Sequence, residues 1–321
     1  MDLSFPLMRY DHTMPLLEGR VEIPDVTIRP ERTPAMVTAD IPSLRTGDFG
    51  LCDLNAGYWP QAIEEGWELI GLPLFIKRKP VYQYLFVSND IQKPTDLAGK
   101  RIATNFYPTG ITILLQGLLA ERHGVDMSGV TWVANSISKV FPLHVGSPAV
   151  KVAEEKKAPW DRLLDGEVDA IITDISDGDT WDRLESNSNV HRLFDYVAED
   201  RKLYEETGMF TPMHLIVISK TLDRDNPGLA RKIFNGFEEA KRLAYQDIGN
   251  DRGGLSVVYL REYFVAQTRQ WGDPMKYGLG VDRGTVETFA RFNADQGITS
   301  RQMEVDELFA EQAVPHFNEV D

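Results

Sequence analysis

The sequence lacks what a disulfide framework, a membrane span or a nucleic-acid interface requires. Cys52 is the single cysteine among 321 residues, so no intramolecular disulfide can form, which suits a reducing compartment. No run of about 18 apolar residues occurs, so no transmembrane helix is predicted. Acidic residues outnumber basic ones by 49 to 34, and the formal net charge of −15 disfavours a nucleic-acid partner. A small anion is still compatible, because local charges and dipoles dominate within about 10 Å.

Motifs of several enzyme classes are absent as well. The sequence has no HExxH or CxxC metal or redox motif, no GxGxxG or P-loop, and no GxSxG nucleophile elbow. We therefore expect no cofactor and no metal, although Asp11, His12 and His214 could converge to hold one. Residues 1–20 carry charges and no long apolar core, unlike a secretory signal peptide, so we expect a cytoplasmic protein.

Strand-like and helix-like segments alternate along the chain. The strand KRIATN (100–105) leads into a helix with apolar residues on one face and Gly124 at the position of a C-terminal cap. The segments VDAII (168–172) and MHLIVIS (213–219) are apolar throughout, which is typical of parallel strands buried on both faces. Asn226-Pro227 is predicted to open a long helix. The pattern predicts an α/β fold with open parallel sheets.

Ligands of open α/β sheets bind beyond the carboxyl ends of the strands, so the residues that follow strands are site candidates. They are Asp11 and His12, Asp53 and Asn55, Lys77 and Arg78, Tyr107 with Thr109 and Gly110, and Asp174. His214 differs, because it lies near the start of its predicted strand.

The turn at residues 107–110 precedes a predicted helix. A helix N-terminus offers unpaired N–H groups and a partial positive charge, and it is a natural seat for a carboxylate or phosphate. Thr109 can donate to such an anion, and Tyr107 can lie against an aromatic ring. The alternative is structural: Thr109 is then only the N-cap and Tyr107 only a packing residue.

Four segments carry a resemblance to a known family. YDHTMPLLEGRV (10–21), PTDLAGKRIA (94–103), GMFTPMHLIVIS (208–219) and the tail YGLGVDRGTVETFARFNADQGITSRQMEVDELF (277–309) together resemble the 4,5-dihydroxyphthalate decarboxylase family, in order and over nearly the whole chain. The resemblance implies a two-lobed type II periplasmic-binding-protein-like fold. Each lobe would be an open mixed sheet flanked by helices, with lobe I formed by 1–86 and 200–321, lobe II by 87–199, and a ligand cleft between them.

The resemblance also implies roles for the candidate residues. Arg78 matches a family arginine and would bind a carboxylate through two parallel hydrogen bonds. His214 matches the family MH and would donate a proton, assisted by Asp11 or His12. Each of them could instead be structural: Arg78 a surface residue of the cluster 77–79, His214 a hydrogen-bonded strand residue, and Asp11 the support of its own turn.

The remaining candidates would complete the cleft. Asp53 and Asn55 could bind ring hydroxyl groups, and Asp174 could face the cleft or the hinge. Tyr82 stands at a substrate-loop position where the family has an Arg-His pair.

Departures from the family pattern affect the expected substrate. Besides Tyr82, Phe106 replaces a glutamate and Gln116 replaces an arginine, so the pocket should be less basic and more aromatic. We therefore expect a decarboxylase of a hydroxylated aromatic carboxylate other than 4,5-dihydroxyphthalate.

The alternative is a solute-binding protein of an uptake system or a ligand sensor for a small organic acid, because the same fold serves binding without catalysis. Either function implies a small-molecule partner, no nucleic acid and no membrane span, and is compatible with a homo-oligomer.

Overall fold

The computed structural model describes residues 1–6, 9–31, 42–137, 143–144, 148–250 and 256–310, which form strands and helices in an alternating order. The strands are β1 (Asp2–Pro6), β2 (Thr27–Glu31), β3 (Leu51–Asn55), β4 (Leu69–Gly71), β5 (Lys77–Arg78), β6 (Leu85–Ser88), β7 (Arg101–Tyr107), β8 (Thr131–Ile137), β9 (Ala149–Val152), β10 (Ala170–Ile172), β11 (Val190–Arg192) and β12 (Pro212–Ser219). The α-helices are α1 (Met14–Leu17), α2 (Pro42–Thr46), α3 (Trp59–Glu64), α4 (Gly110–His123), α5 (Pro159–Leu164), α6 (Gly178–Glu185), α7 (Tyr196–Thr207), α8 (Lys220–Asp225), α9 (Leu229–Gly249), α10 (Leu260–Trp271), α11 (Leu279–Asp295) and α12 (Val305–Leu308). Short 3₁₀ helices span Asp11–Thr13, Tyr82–Tyr84, Pro94–Leu97 and Met127–Gly129.

The first large sheet is built around β12. Strands β3, β4 and β5 all pair with β12 in antiparallel register. All eight residues of β12 are buried. The apolar run MHLIVIS therefore marks a strand covered on both faces, but the prediction that it is parallel is wrong. Apolar composition reports burial on both faces, and the central strand of an antiparallel sheet meets the same condition.

The second large sheet has six strands in the order β11-β6-β10-β7-β8-β9. Strands β7, β8, β9 and β10 pair in parallel, whereas β6 runs antiparallel to β10 and β11. Both large sheets therefore depart from the all-parallel expectation, and the second is mixed. A separate parallel pair joins β1 to β2.

Helix α4 is the element that links the second sheet to the rest of the fold. Its first ten residues are buried. A Cβ built on Gly117 would lie 2.3 Å from the ring of Phe292 in α11, so only glycine permits this packing. The predicted caps of α4 are confirmed: the Thr109 side chain accepts from the Thr112 amide, and Gly124 has φ of 65°.

Two other predictions fare differently. The long helix after Asn226 exists, but it begins at Leu229 with Gly228 as N-cap, so the predicted start at Asn226-Pro227 is wrong by two residues. The lobe boundaries stay a prediction. Strand β6 (Leu85–Ser88) spans the expected division between 86 and 87. Within the described ranges, none of the helices is long and apolar enough to cross a membrane.

Candidate functional site

A cavity of about 390 Å³ is lined by residues of both large sheets. We call it the cleft cavity. Its lining consists of Asn55, Lys77, Thr104, Asn105, Phe106, Thr109, Ile111, Asn135, Ser136, Lys156, Thr173, Asp174, Ser176, Met213 and His214. The cavity is of a size that holds a single-ring ligand.

A histidine–aspartate pair lies at the wall that the first sheet contributes. His214 pairs with Asn55 across β12 and β3, and Ile216 pairs with Asp53. Because side chains alternate along a strand, Asp53, Asn55 and His214 share one face of the sheet. His214 Nδ1 lies 2.6 Å from Asp53 Oδ1, and the two side chains are 1% and 3% exposed. The sequence proposed both residues without predicting this contact.

Asp53 fixes the orientation of the imidazole ring. A carboxylate accepts the Nδ1 proton, so Nε2 is the ring nitrogen left for a ligand. The hydroxyl of Tyr10 donates to the other oxygen, Asp53 Oδ2, at 3.5 Å. Burial and the Asp53 carboxylate raise the pKa of Tyr10 above its usual range, so this phenol stays protonated and acts as a donor.

Cationic groups enter the cavity from both sides. Lys77 of β5 lies 3.4 Å from Asp174, which follows β10 in the second sheet, and Lys79 lies 3.7 Å from the other Asp174 oxygen. Lys156 lines the cavity and is exposed. The Lys77–Asp174 contact therefore joins the two sheets across the cavity.

The turn before α4 meets the first sheet directly. Asn55 Oδ1 accepts hydrogen bonds from Gly57 N at 2.9 Å and from Gly110 N at 3.2 Å. A ligand would therefore meet the Asn55 Nδ2 group. The Thr109 hydroxyl oxygen accepts from Thr112 N, which leaves the hydroxyl hydrogen for Thr112 Oγ1 or for a ligand. Thr109 is the N-cap of α4 and also lines the cavity, and its predicted contact with an anion stays a prediction.

A pair of asparagines forms the opposite wall. The Asn135 amide donates to Asn105 Oδ1 at 3.1 Å and to the Lys157 carbonyl at 2.8 Å. Both asparagines lie near the carboxyl ends of the neighbouring parallel strands β7 and β8. Phe106, which replaces a glutamate of the family pattern, lies beside them and is 40% exposed.

Arg78 lies outside the cleft cavity. Its Nη2 is 2.5 Å from Asp282 Oδ2, and both side chains are 3% exposed. The guanidinium also donates to the Phe210 and Lys276 carbonyls at 2.9 and 3.0 Å. The expectation that Arg78 binds a carboxylate in the cleft is therefore corrected: Arg78 is bound to the protein itself, and its neighbour Lys77 lines the cavity.

The 3₁₀ helix at residues 11–13 is also separate from the cavity lining. His12 Nδ1 lies 3.0 Å from Asp11 Oδ1, and its Nε2 lies 3.0 Å from the Ile76 carbonyl oxygen. Both ring nitrogens are thus engaged, which argues against a catalytic role for His12. The hydrogen bond from His12 lowers the pKa of Asp11, so Asp11 serves this turn as a carboxylate.

Two predicted tyrosines, Tyr82 and Tyr107, and one predicted glycine, Gly110, are not among the residues that line the cavity. Tyr82 is fully buried, with its hydroxyl 3.1 Å from His123 Nε2. Tyr107 is 1% exposed and donates to Gln116 at 3.5 Å. The amide of Gly110 binds Asn55.

Some lining residues carried a usable sequence signal and others did not. Lys77 was named with Arg78 after its strand, but the ligand role was given to Arg78. Asn135 was not among the sequence candidates, and it lies within β8 (Thr131–Ile137) near the end of that strand. The lysine at 156 carried no signal, because it belongs to no element. No group of three His, Cys, Asp or Glu residues in the described part of the chain is placed to hold a metal ion.

Comparison with known proteins supports the resemblance indicated by the sequence motifs. A 4,5-dihydroxyphthalate decarboxylase from Comamonas testosteroni is 25% identical to this chain, over 99% of this chain and 98% of that protein. A family model described as NMT1/THI5 like matches residues 25–153. The resemblance to 4,5-dihydroxyphthalate decarboxylases is thereby confirmed.

Solved structures identify the fold. One similar structure is a periplasmic sulfonate-binding protein of a putative sulfonate ABC transporter from Methylobacillus flagellatus. It superposes with a TM-score of 0.62 at 11% identity, covering 99% of this chain and 92% of that one. The alkanesulfonate-binding protein from Xanthomonas axonopodis pv. citri, bound to MOPS, has a TM-score of 0.52 at 16% identity, covering 98% and 97%. The predicted two-lobed periplasmic-binding-protein-like fold is confirmed.

Proposed function

We propose that the protein is a non-oxidative decarboxylase of a hydroxylated aromatic monocarboxylate. The observation that carries the proposal is the buried His214–Asp53 pair at the wall of a cavity that Lys77 also lines. A histidine held by a carboxylate is suited to proton transfer, and a lysine is suited to holding an acid group. The resemblance to decarboxylases over the whole chain supports this chemistry.

The charges that line the cavity favour a ligand with one acid group. Lys77 and Lys156 contribute two positive charges and Asp174 contributes one negative charge. The His214–Asp53 pair adds no net charge in the imidazolium–carboxylate form that proton donation requires. One ligand carboxylate balances the remaining positive charge, whereas a second would be left without a partner in a half-enclosed site.

The rest of the lining suits an oxygen-bearing ring. Ile111, Met213 and Phe106 offer apolar contact for the ring. Asn105 and Thr173 offer side-chain groups that can hydrogen bond to ring hydroxyls. A hydroxyl ortho or para to the reacting carbon supplies the electron density that protonation of the ring requires.

The reaction follows from this arrangement. His214, as the imidazolium, gives its Nε2 proton to the ring carbon that carries the carboxylate, and Asp53 stabilises the positive charge until transfer. The bond between that carbon and the carboxylate then breaks, its electron pair restores the aromatic ring, and CO2 leaves. The net change is one proton taken up and one CO2 released. Lys77 holds the carboxylate while the ring is protonated, and solvent returns the proton to His214.

The test is turnover by a defined panel. The protein is incubated with 4-hydroxybenzoate, 3,4-dihydroxybenzoate and 4,5-dihydroxyphthalate, and CO2 release is measured. We expect turnover of a monocarboxylate and little of the phthalate. His214→Gln should lower kcat about 100-fold or more with a smaller effect on KM, as loss of a general acid does.

Matched variants sharpen the assignment. Asp53→Asn should lower kcat less than His214→Gln, and Lys77→Gln should mainly raise KM. His191→Gln is the control, because His191 lies on β11 outside the cavity and pairs with Asn89. Unchanged turnover in His214→Gln would remove the proposed proton donor.

A second candidate function is binding without catalysis. The similarity in fold to sulfonate-binding proteins, one of them bound to MOPS, favours it. Tight binding of panel members with no CO2 release would support it against the decarboxylase.

Cytoplasmic location belongs with the decarboxylase proposal. An uptake receptor would work outside the cytoplasm. Fractionation of the native cells separates the two: recovery in the periplasmic fraction would contradict the proposed location.

A further inference from the structure

The orientation of two asparagines in the cleft cavity is fixed by the backbone behind them. The Lys157 carbonyl can only accept a hydrogen bond, so the Asn135 atom that lies 2.8 Å from it must be Nδ2. The same Nδ2 lies 3.1 Å from Asn105, so its second hydrogen goes to Asn105 Oδ1. Asn135 Oδ1 in turn accepts from the Lys157 amide at 3.4 Å. The two backbone groups of Lys157 therefore set the direction of both side chains.

Asn105 presents its Nδ2 group as a result. A flipped Asn105 would turn one NH2 group against another, because both hydrogens of Asn135 Nδ2 are already directed by the two contacts. Asn105 Nδ2 has no hydrogen-bond partner among the described residues. It is also not one of their buried unpaired polar atoms, so it is accessible at the cavity that Asn105 lines. This wall of the cavity thus offers a fixed donor.

The far end of the proposed substrate meets this donor. His214 and Lys77, which serve the acid end of the ring in the proposed function, belong to the paired strands β12 and β5 of the first sheet. Asn105 belongs to β7 of the second sheet. Because the cavity holds a single ring, the substituent opposite the carboxylate lies on the side of Asn105. A group that only donates would be left facing another donor there, and such an unmade hydrogen bond is costly.

We infer that Asn105 is a specificity-determining residue of the cleft, which selects a benzoate whose para substituent accepts a hydrogen bond, and that Asn135 positions it. Because the carboxylate is placed at Lys77, this assignment rests on the proposed function. The ligand class narrows to para-oxygenated benzoates, such as hydroxybenzoates and alkoxybenzoates, and para-aminobenzoates are disfavoured.

Three para-substituted benzoates test the inference by calorimetric titration: 4-methoxybenzoate accepts at the para position, 4-aminobenzoate donates, and 4-ethylbenzoate does neither. The parent protein should bind 4-methoxybenzoate about fivefold more tightly than 4-ethylbenzoate, which is the factor that one neutral hydrogen bond supplies. It should bind 4-aminobenzoate most weakly. Equal affinity for the methoxy and ethyl compounds, or no binding of 4-methoxybenzoate, overturns the inference.

Asn105→Asp reverses the hydrogen-bonding character of the position with little change in shape. One carboxylate oxygen still accepts from Asn135, and the other accepts where Nδ2 donated. The added charge weakens the binding of every benzoate, but 4-aminobenzoate should now bind more tightly than 4-methoxybenzoate. The same order of affinities as in the parent protein overturns the inference. Asn187→Asp is the matched control, because its oxygen still serves the Asn189 amide and it lies outside the cavity lining, so the parent order should persist.

Two more variants complete the test. Asn135→Leu frees Asn105 to turn, so the preference for the methoxy over the amino compound should shrink at least threefold; an unchanged ratio overturns the positioning role of Asn135. Asn105→Ala supplies the test if Asn105→Asp fails to fold, since it removes the donor and the advantage of the methoxy over the ethyl compound should vanish. An advantage that survives in Asn105→Ala overturns the inference.

The titrations measure binding without turnover, so the inference and the proposed decarboxylase fail separately. CO2 release from a hydroxybenzoate without any preference among the three probes overturns only the role of Asn105. The expected preferences without CO2 release support that role and remove only the decarboxylase.

Discussion

The ion pair between Arg78 and Asp282 should stabilise the protein rather than bind its ligand. Both side chains are 3% exposed and 2.5 Å apart. Replacing Asp282 with asparagine leaves a buried guanidinium with no carboxylate partner, because the asparagine oxygen and the Phe210 and Lys276 carbonyls are all uncharged acceptors. Breaking a buried pair by removing one partner costs about 3–5 kcal/mol, so we expect a loss of that size in the free energy of unfolding.

Urea unfolding followed by circular dichroism measures this loss. Arg78→Met should cost a similar amount, because it leaves the Asp282 carboxylate buried and unpaired. The double variant Arg78→Met/Asp282→Leu should cost clearly less than the sum of the single changes, since neither charge then remains. Arg224→Gln is the control: its pair with Asp225 is 70% and 57% exposed, and the unfolding midpoint should not move.

One result would refute this reasoning. If Asp282→Asn lost less than about 1 kcal/mol, as an exposed pair does, the guanidinium would not depend on Asp282. If Arg78→Met also kept its stability but no longer bound hydroxybenzoates, Arg78 would return to the role that the sequence suggested.

Three further predictions concern other parts of the fold. Gly57→Ala should weaken ligand binding in the cleft, because the added Cβ would lie 2.6 Å from Gly110 N. Gly110→Ala should not weaken it, because the nearest contact of its added Cβ is at 3.6 Å. Equal ligand-titration curves for the two variants would contradict this prediction. Gly117→Ala should lower the melting temperature by forcing the Phe292 ring aside, and an unchanged melting curve would refute it. Burial raises the pKa of Asp200, which means that its protonated form stabilises the native state, and this contribution to the free energy of unfolding is full below about pH 4 and is lost as the pH rises through about 7. Asp200→Asn should flatten the decline of the unfolding free energy over this pH range. A parallel decline in the variant and the parent protein would argue against the raised pKa.

Sequence reasoning reached the fold and part of the site. The helix after the 107–110 turn was predictable because apolar spacing, an N-cap threonine and a C-terminal glycine are all local signals. His214, Asp53, Asn55, Thr109 and Asp174 were named singly, and the fold brings them around one cavity or directly behind it. Their contacts were not predictable, because the His214–Asp53 hydrogen bond joins residues 161 positions apart.

The sequence predicted Arg78 as the cationic residue of the cleft, whereas the structure places Lys77 there, and this difference has a geometric cause. Strand β5 is two residues long, and its register against β12 shifts between Pro212 and His214. A shift of one residue reverses which side chain faces the cleft, and no sequence pattern in so short a strand reports it. His12 was misjudged for a related reason: its partner, the Ile76 carbonyl, is backbone and leaves no trace in residue identity.

The close packing of α4 against α11 connects the turn at Thr109, which lines the cleft cavity, to a helix that contributes nothing to the cavity lining. Fourteen residues at about 1.5 Å each give a length of roughly 21 Å. The Phe292 ring packs directly on Gly117, and the Gln296 amide donates to the Ile113 carbonyl at 2.8 Å, so α4 is in close contact with α11 and the residue that follows it. We expect ligand binding at the first turn of α4 to displace α11, and labels on exposed residues of α11 would measure that displacement.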